Sequence, residues 1–196
     1  MNVYLDNAAT TPMIPEVVDA MLPYMREHFG NPSSTHQFGR KTKTAIEQAR
    51  RRIARHLNVE PRTICFTSGG TEADNMALHA SIEQLGCKRI LTCATEHSAV
   101  LKTAEHLGQR EGIECGILAL DAEGRVDLEK LAVWLSDEVP TLVSVMHGNN
   151  EVGILQDLEA IGQCCQQFGA LFHTDTVQTM GHYPLDLGAL PIDFAA

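Results

Sequence analysis

The stretch Phe172-His173-Thr174-Asp175-Thr176-Val177-Gln178 decides how this chain is read. Entered from Ala170, it has the composition of a buried strand that delivers a carboxylate, Asp175, and an amide, Gln178, at its carboxyl end. Open α/β sheets bind their ligands at that edge. A carboxylate placed there, with His173 two residues before it, suits a cationic ring nitrogen such as a pyridinium. An aspartate that only forms a turn is the plainer alternative. The rest of the chain has to choose between them.

Upstream of this stretch, strand-like and helix-like segments alternate. Asp157 to Phe168 reads as a helix closed by Gly169, Thr141 to Met146 as a Val-rich strand, and Asp127 to Leu135 as a helix with Asp127 as its N-cap. Before these come a strand at Glu114 to Leu120, a helix at His97 to Leu107 and a strand at Arg89 to Cys93. Earlier still are a helix at Thr71 to Leu85 and a strand at Thr63 to Thr67. Such alternation predicts an α/β fold, a mostly parallel sheet covered by helices.

Two helices are expected nearer the amino terminus. The first spans Pro15 to His28, with Val17, Val18, Met21, Leu22 and Met25 at helical spacing and Pro15 in the first turn. Gly30 to Thr35 breaks it, and the second runs to about Leu57 with Ile46, Ala49, Ile53 and Leu57 on one face. That helix also carries Arg40, Lys41, Lys43, Arg50, Arg51, Arg52 and Arg55, a solvated face or a docking face for an acidic partner or a neighbouring subunit. Ahead of both, Asp6-Asn7-Ala8-Ala9-Thr10-Thr11-Pro12 is a loop of small and polar residues. The expected organisation is an amino-terminal arm over 1–14 and one large domain over 15–196.

Composition narrows the function classes. The chain has 196 residues, 44% of them hydrophobic, enough for one well-buried core. A net charge of −10 repels phosphate backbones, so general nucleic-acid binding is disfavoured. No apolar run approaches the roughly 20 residues of a membrane span, and Met1 to Asp6 lacks a signal-peptide pattern, which together point to the cytoplasm. The six cysteines form no Cys-x-x-Cys pair and suit reduced, buried thiols. The histidines show no metal spacing, so no metal is expected.

Three further loops should gather at the same sheet edge as Asp175. Thr67-Ser68-Gly69-Gly70-Thr71-Glu72 lies between a strand and a helix, where free N–H groups and the helix dipole make a phosphate cup. It is neither a Walker loop nor a dinucleotide fingerprint, and a purely steric Gly–Gly turn is its alternative. In Ala94-Thr95-Glu96-His97-Ser98, the imidazole of His97 can lie flat on a ligand ring, or can cap the helix that follows. In His147-Gly148-Asn149-Asn150-Glu151, two adjacent amides suit a carboxylate or a phenolic oxygen, although an Asx turn also explains them. A phosphorylated pyridine, pyridoxal phosphate, fits all four features, with the carboxylate keeping its ring nitrogen protonated.

The motifs also resemble, in order, those of the amino-terminal half of cysteine desulfurases. This is the nitrogen-fixation and iron–sulfur-cluster type within the class V aminotransferase superfamily. The matching segments are Leu5 to Pro12, Gly30-Asn31-Pro32-Ser33-Ser34, Ser68 to Asn75, Glu96 to Val100, Asn149-Asn150-Glu151-Val152-Gly153, His173-Thr174-Asp175 with Gln178, and Asp193-Phe194. One departure is Thr176 where the family usually has a small residue, with the Asp175 to Gln178 spacing kept.

The resemblance implies the large domain of the aspartate-aminotransferase-like, fold type I, enzymes. It implies that Gly70 and Thr71 hold the phosphate, and that His97, the catalytic side chain of this half, stacks on the ring. Asn150 would lie near the ring hydroxyl and substrate carboxylate, Asp175 would pair with the ring nitrogen, and Gln178 would bond the ring hydroxyl. The implied reaction takes sulfur from L-cysteine, leaving L-alanine and an enzyme persulfide that is passed to a scaffold or acceptor protein. The implied assembly is a homodimer.

The family's Ser-x-His-Lys motif, whose lysine carries the cofactor, is expected beyond residue 196, as are the catalytic cysteine and the substrate-binding arginine. None of Lys41, Lys43, Lys88, Lys102 and Lys130 occupies the matching position. The 196-residue chain alone is therefore expected to be inactive. The alternatives are a selenocysteine lyase, a class V aminotransferase, or a non-catalytic truncated binding module.

Overall fold

A computed structural model describes residues 1–196. The chain divides into two compact units, Met1–Cys65 and Phe66–Ala196. No helix is long and apolar enough to cross a membrane.

The first unit holds helices α1 (Pro15–Arg26) and α2 (Gln37–His56), followed by a short 3₁₀ turn at Pro61–Thr63. Pro15 opens α1, where its missing N–H costs nothing. The apolar positions expected to bury α1 stay largely exposed, and the helix has no buried residue. On α2 the expected apolar face is also displaced: Ala49 and Ile53 are exposed, and Gly39 and Ala54 are the buried positions. Arg50 leaves the basic surface to bind Glu47 and the carbonyl of Ile64.

The second unit is an α/β sandwich. Five strands, β1 (Arg89–Thr92), β2 (Glu114–Ile117), β3 (Thr141–Ser144), β4 (Leu171–Thr174) and β5 (Phe194–Ala195), form one sheet in the order β2-β1-β3-β4-β5. Every pairing is parallel, and the register places Thr92 beside Ser144 and Ser144 beside His173. Helices α3 (Gly70–Glu83) and α4 (Ser98–Gly108) pack on one face through Leu78, Val100, Ala104 and Leu107 over Ile90 and Leu142. Helices α5 (Leu128–Leu135) and α6 (Leu158–Gln167) cover the other, with Leu131, Leu135, Ile161 and Cys165 over Leu91, Val143 and Phe172. Continuous burial of β1 and β3 is what a strand covered on both faces requires.

The caps follow the sequence. Asp127 accepts from the amide of Lys130, and Asp157 from that of Ala160. Gly169, at φ 69°, supplies the left-handed turn that ends α6.

Two expectations are corrected. Thr63 to Thr67 forms no strand: its β-branched and aromatic residues have the propensity, but β structure needs a paired neighbour and no segment pairs with this one. The cysteines are all free, as expected, but Cys65 and Cys115 are exposed rather than buried.

Candidate active site

Strand order reverses at β1: the chain steps outward to β2, then returns to place β3 on β1's other side. The connections after β1 and β3 therefore leave to opposite faces of the sheet, which marks the carboxyl edge between them as the place where an open α/β sheet has its ligand crevice. These loops carry Glu96, His97, Asn149 and Asn150, and the adjacent loop after β4 carries Asp175 and Gln178.

Hydrogen bonds lock these loops together. The carboxylate of Glu96 accepts from the amide of Met146 at 2.8 Å, and Asn149 Nδ2 donates to the carbonyl of Thr95 at 2.7 Å. The amide of His147 donates to the carbonyl of Asp175 at 2.9 Å, and His147 Nδ1 meets Thr179 Oγ1 at 2.9 Å. The start of α3 joins them sterically, because a Cβ on Gly70 would lie 2.5 Å from Val177 Cγ2. Glycine at 70 lets the helix terminus and the Asp175 loop approach each other this closely.

The candidate residues are brought to this edge, with the alternatives resolved one by one. The amino terminus of α3 has no side-chain cap, so first-turn amides are left to a ligand or to water. Glu72 folds back onto the amide and hydroxyl of Ser68, both at 2.6 Å, which lowers its pKa and withdraws Ser68 from the cup. Gly70 and Thr71 remain at its mouth, Thr71 exposed. His97 is the N-cap of α4, its Nδ1 accepting from the amide of Ala99 at 3.1 Å. The capping alternative thus holds, and the exposed ring still stands at the crevice, near enough to Asp175 to favour its ionised form.

The two amides separate. Asn149 closes an Asx turn, accepting from the amides of Glu151 and Val152, whereas Asn150 is exposed. Asp175 is 5% exposed, and one oxygen accepts from the amide of Val177 at 2.9 Å. Burial raises its pKa. Gln178 is half-buried and already engaged within the chain. The unusual Thr176 is fully buried and bonded to the carbonyl of Ala196, so its size is accommodated away from the crevice.

Sequence reasoning gave no role to two buried acids. Asp74, on α3, is 1% exposed and its pKa is pushed up to about 7 by burial and by Asp175. Glu96 is pushed up to about 8, chiefly by burial. A signal for Asp74 was present, since Asp74, Ala77, Leu78 and Ser81 share helical spacing and all four are buried.

Comparison with known proteins adds a family and relatives. The profile of the aminotransferase class-V family matches residues 3–196. A cysteine desulfurase IscS of Dictyoglomus turgidum is 44% identical over 97% of this chain and 48% of its own length. One from Neisseria meningitidis is likewise 44% identical over 97% of this chain and 48% of its own length. The chain thus spans about half the length of the curated relatives it matches. A solved NifS-like protein superposes with a TM-score of 0.92 at 38% identity, covering 100% of this chain and 54% of that one. A structure described as SspA in complex with cysteine gives 0.89 at 31% identity, covering 98% of this chain and 55% of that one.

Proposed function

The chain belongs to the aminotransferase class-V family, and on that premise we propose that it is the cofactor-binding part of a cysteine desulfurase that uses pyridoxal phosphate. The observation that carries the reading is Asp175: a buried carboxylate at the carboxyl edge of the sheet, with His97 in its electrostatic reach and the Gly70 helix terminus packed against Val177 of the same loop. The residues present fit the group. An uncapped helix terminus suits the phosphate, and a glycine at 70 keeps that terminus against the Asp175 loop. A buried carboxylate suits a ring N–H⁺.

When bound, pyridoxal phosphate supplies an electron sink for a substrate carbanion. This chain's residues hold and tune it. Gly70 and Thr71 would take the phosphate, and His97 would lie against the ring as the catalytic side chain of this segment. Asp175 would hold the proton on the ring nitrogen, and Gln178 and Asn150 would face the ring hydroxyl, Asn150 also facing the substrate carboxylate. In this reading the cofactor-bearing lysine and the sulfur-accepting cysteine belong to polypeptide outside residues 1–196. The same reading makes residues 1–14 an amino-terminal arm and 15–196 the large domain. It also implies a cytoplasmic homodimer that takes L-cysteine and hands sulfur to an acceptor protein.

The test is product analysis on the intact gene product loaded with pyridoxal phosphate. L-Alanine and a protein persulfide in equal amounts from L-cysteine are expected. A keto-acid product would assign a transaminase, and turnover of selenocysteine but not cysteine would assign a lyase; either would overturn the desulfurase reading.

A further inference from the structure

Beneath Asp175 the sheet carries a polar row that the proposed chemistry does not use. Thr92, Ser144 and His173 sit side by side on β1, β3 and β4, each with 0% exposure. Side chains alternate along a strand. Ile90, Leu142 and Leu171, two residues earlier on each strand, pack on the α3/α4 face, so the row faces that layer. Asp74 comes down from α3 to meet it. Its Oδ1 lies 3.6 Å from His173 Nε2, and neither atom has a hydrogen-bond partner. On the other side of the ring, Nδ1 is 2.8 Å from Ser144 Oγ.

The short separation of Asp74 and His173 suggests an ion pair, but the surroundings oppose one. It would bury two charges in a fully enclosed layer, with no hydrogen bond made by either Asp74 Oδ1 or His173 Nε2 and only the neutral Ser144 hydroxyl on the ring's other nitrogen. The groups facing Asp74 are His173 on β4, Asp175 after it, and Glu96 after β1; no lysine or arginine acts on any of these acids. His97 acts on Asp175, and Cys93 lies beside Glu96. With Asp74 raised to about 7 and His173 lowered to about 4, burial favours the uncharged form of both.

We propose that Asp74 is a positioning residue held as the neutral acid, its hydroxyl hydrogen-bonding Nε2 of His173, which presents Nδ1–H to Ser144. A closing movement of about 0.4 to 0.9 Å completes the chain of bonds. The consequence falls on Asp175. An ionised Asp74 in its electrostatic reach would drive Asp175 to take up a proton, whereas a neutral one leaves Asp175 able to keep its charge for a ring N–H⁺. This last step rests on the role proposed for Asp175 above.

The test is long-range ¹H–¹⁵N NMR on the ligand-free intact gene product with labelled histidine, about one pH unit below the value of about 7 to which Asp74 is raised, His173 being assigned by its loss in His173→Gln. A protonated Nδ1 with an unprotonated Nε2 is expected. The reverse tautomer, or a doubly protonated ring, overturns the proposal. The same samples are titrated with pyridoxal phosphate. Asp74→Ala, which removes the donor, is expected to release the tautomer, and Asp74→Asn, whose amide can donate to Nε2, to keep it. Both variants are uncharged like the neutral acid and are expected to bind pyridoxal phosphate within about threefold of the parent. An affinity changed about tenfold or more in both variants would show that Asp74 acts through its charge and would overturn the proposal. If pyridoxal phosphate fails to bind while His173 shows the Nδ1–H tautomer, the functional reading falls and the proton assignment stands.

Discussion

The two ends of strand β1 bury polar groups in opposite ways. At its start Arg89 is 3% exposed, yet its side chain is satisfied. Its Nε binds Glu114, its Nη1 binds Asp137 and the carbonyl of Trp134 at 2.9 and 2.8 Å, and its guanidinium lies 5.3 Å from the Trp134 ring centre. Asp137 responds, held down to about 2 first by the Arg89 hydrogen bonds. At the other end, atoms of Thr92, Asp74, His173 and Glu96 are buried with no partner. Native interiors seldom leave such groups unpaired. One end of the sheet pairs its buried polar side chain in full, and the other leaves buried polar atoms without a partner beneath the proposed site.

Removing the paired end should cost the most. Arg89→Met is expected to lower unfolding free energy by roughly 3 kcal/mol in urea melts, near the lower bound for breaking a buried pair. The lower bound applies because the abandoned partners, Glu114 and Asp137, are about half exposed and can rehydrate. Pyridoxal phosphate affinity should not change; a large affinity loss would erase the division between the two ends.

Asp175→Asn should do the reverse. Loss of one charge-assisted bond predicts an affinity fall of about 10- to 100-fold, read by absorbance titration. Stability should hold or rise by about 1 kcal/mol, because a buried carboxylate with a raised pKa is gone. A destabilised variant with intact affinity would recast Asp175 as a structural residue.

The pH dependence of stability sharpens the same contrast. Asp74 and Glu96 are raised to about 7 and about 8, so between the unfolded carboxyl range and those values the native state holds more protons. Stability therefore falls as pH rises through that window, and His173, lowered to about 4, works in the opposite direction only up to the ordinary histidine range. From about pH 6.5 to 8 the acids act alone, each contributing a slope of at most about 1.4 kcal/mol per pH unit. Melting temperature should drop across that interval, and less so in Asp74→Asn. A Tm that rises there would mean these acids are ionised in the native state.

The smallest effect is expected at Gly70. Gly70→Ala pushes a methyl toward Val177 Cγ2, but Val177 is 54% exposed and can turn away. Affinity should weaken only severalfold, and Gly70→Ala with Val177→Ala should recover it.

The fold was legible where local chemistry sufficed. Apolar runs marked β1, β3 and β4, and Asp127 announced its helix as a cap. Strand order was not legible, and neither was the failure of Thr63 to Thr67 to pair, because both depend on partners distant in sequence. The candidate residues around Asp175 were found because Gly, His, Asn and Asp after strands are locally conspicuous. The sequence also offered the cap at His97 and the Asx turn at the amide pair, and both are present; which amide makes the turn, Asn149 rather than Asn150, was left open. Asp74 lay unnoticed within a helix although it shares the spacing of Ala77, Leu78 and Ser81, since a carboxylate is ordinarily assigned to the solvent face.

The most direct test of the account is equilibrium binding of pyridoxal phosphate to the intact gene product and its Asp175→Asn variant, measured side by side with ³¹P NMR on the bound phosphate. The account predicts one bound cofactor per chain, a phosphate signal perturbed equally in both proteins, and weaker binding in the variant. Absence of binding, or binding indifferent to Asp175, would contradict it.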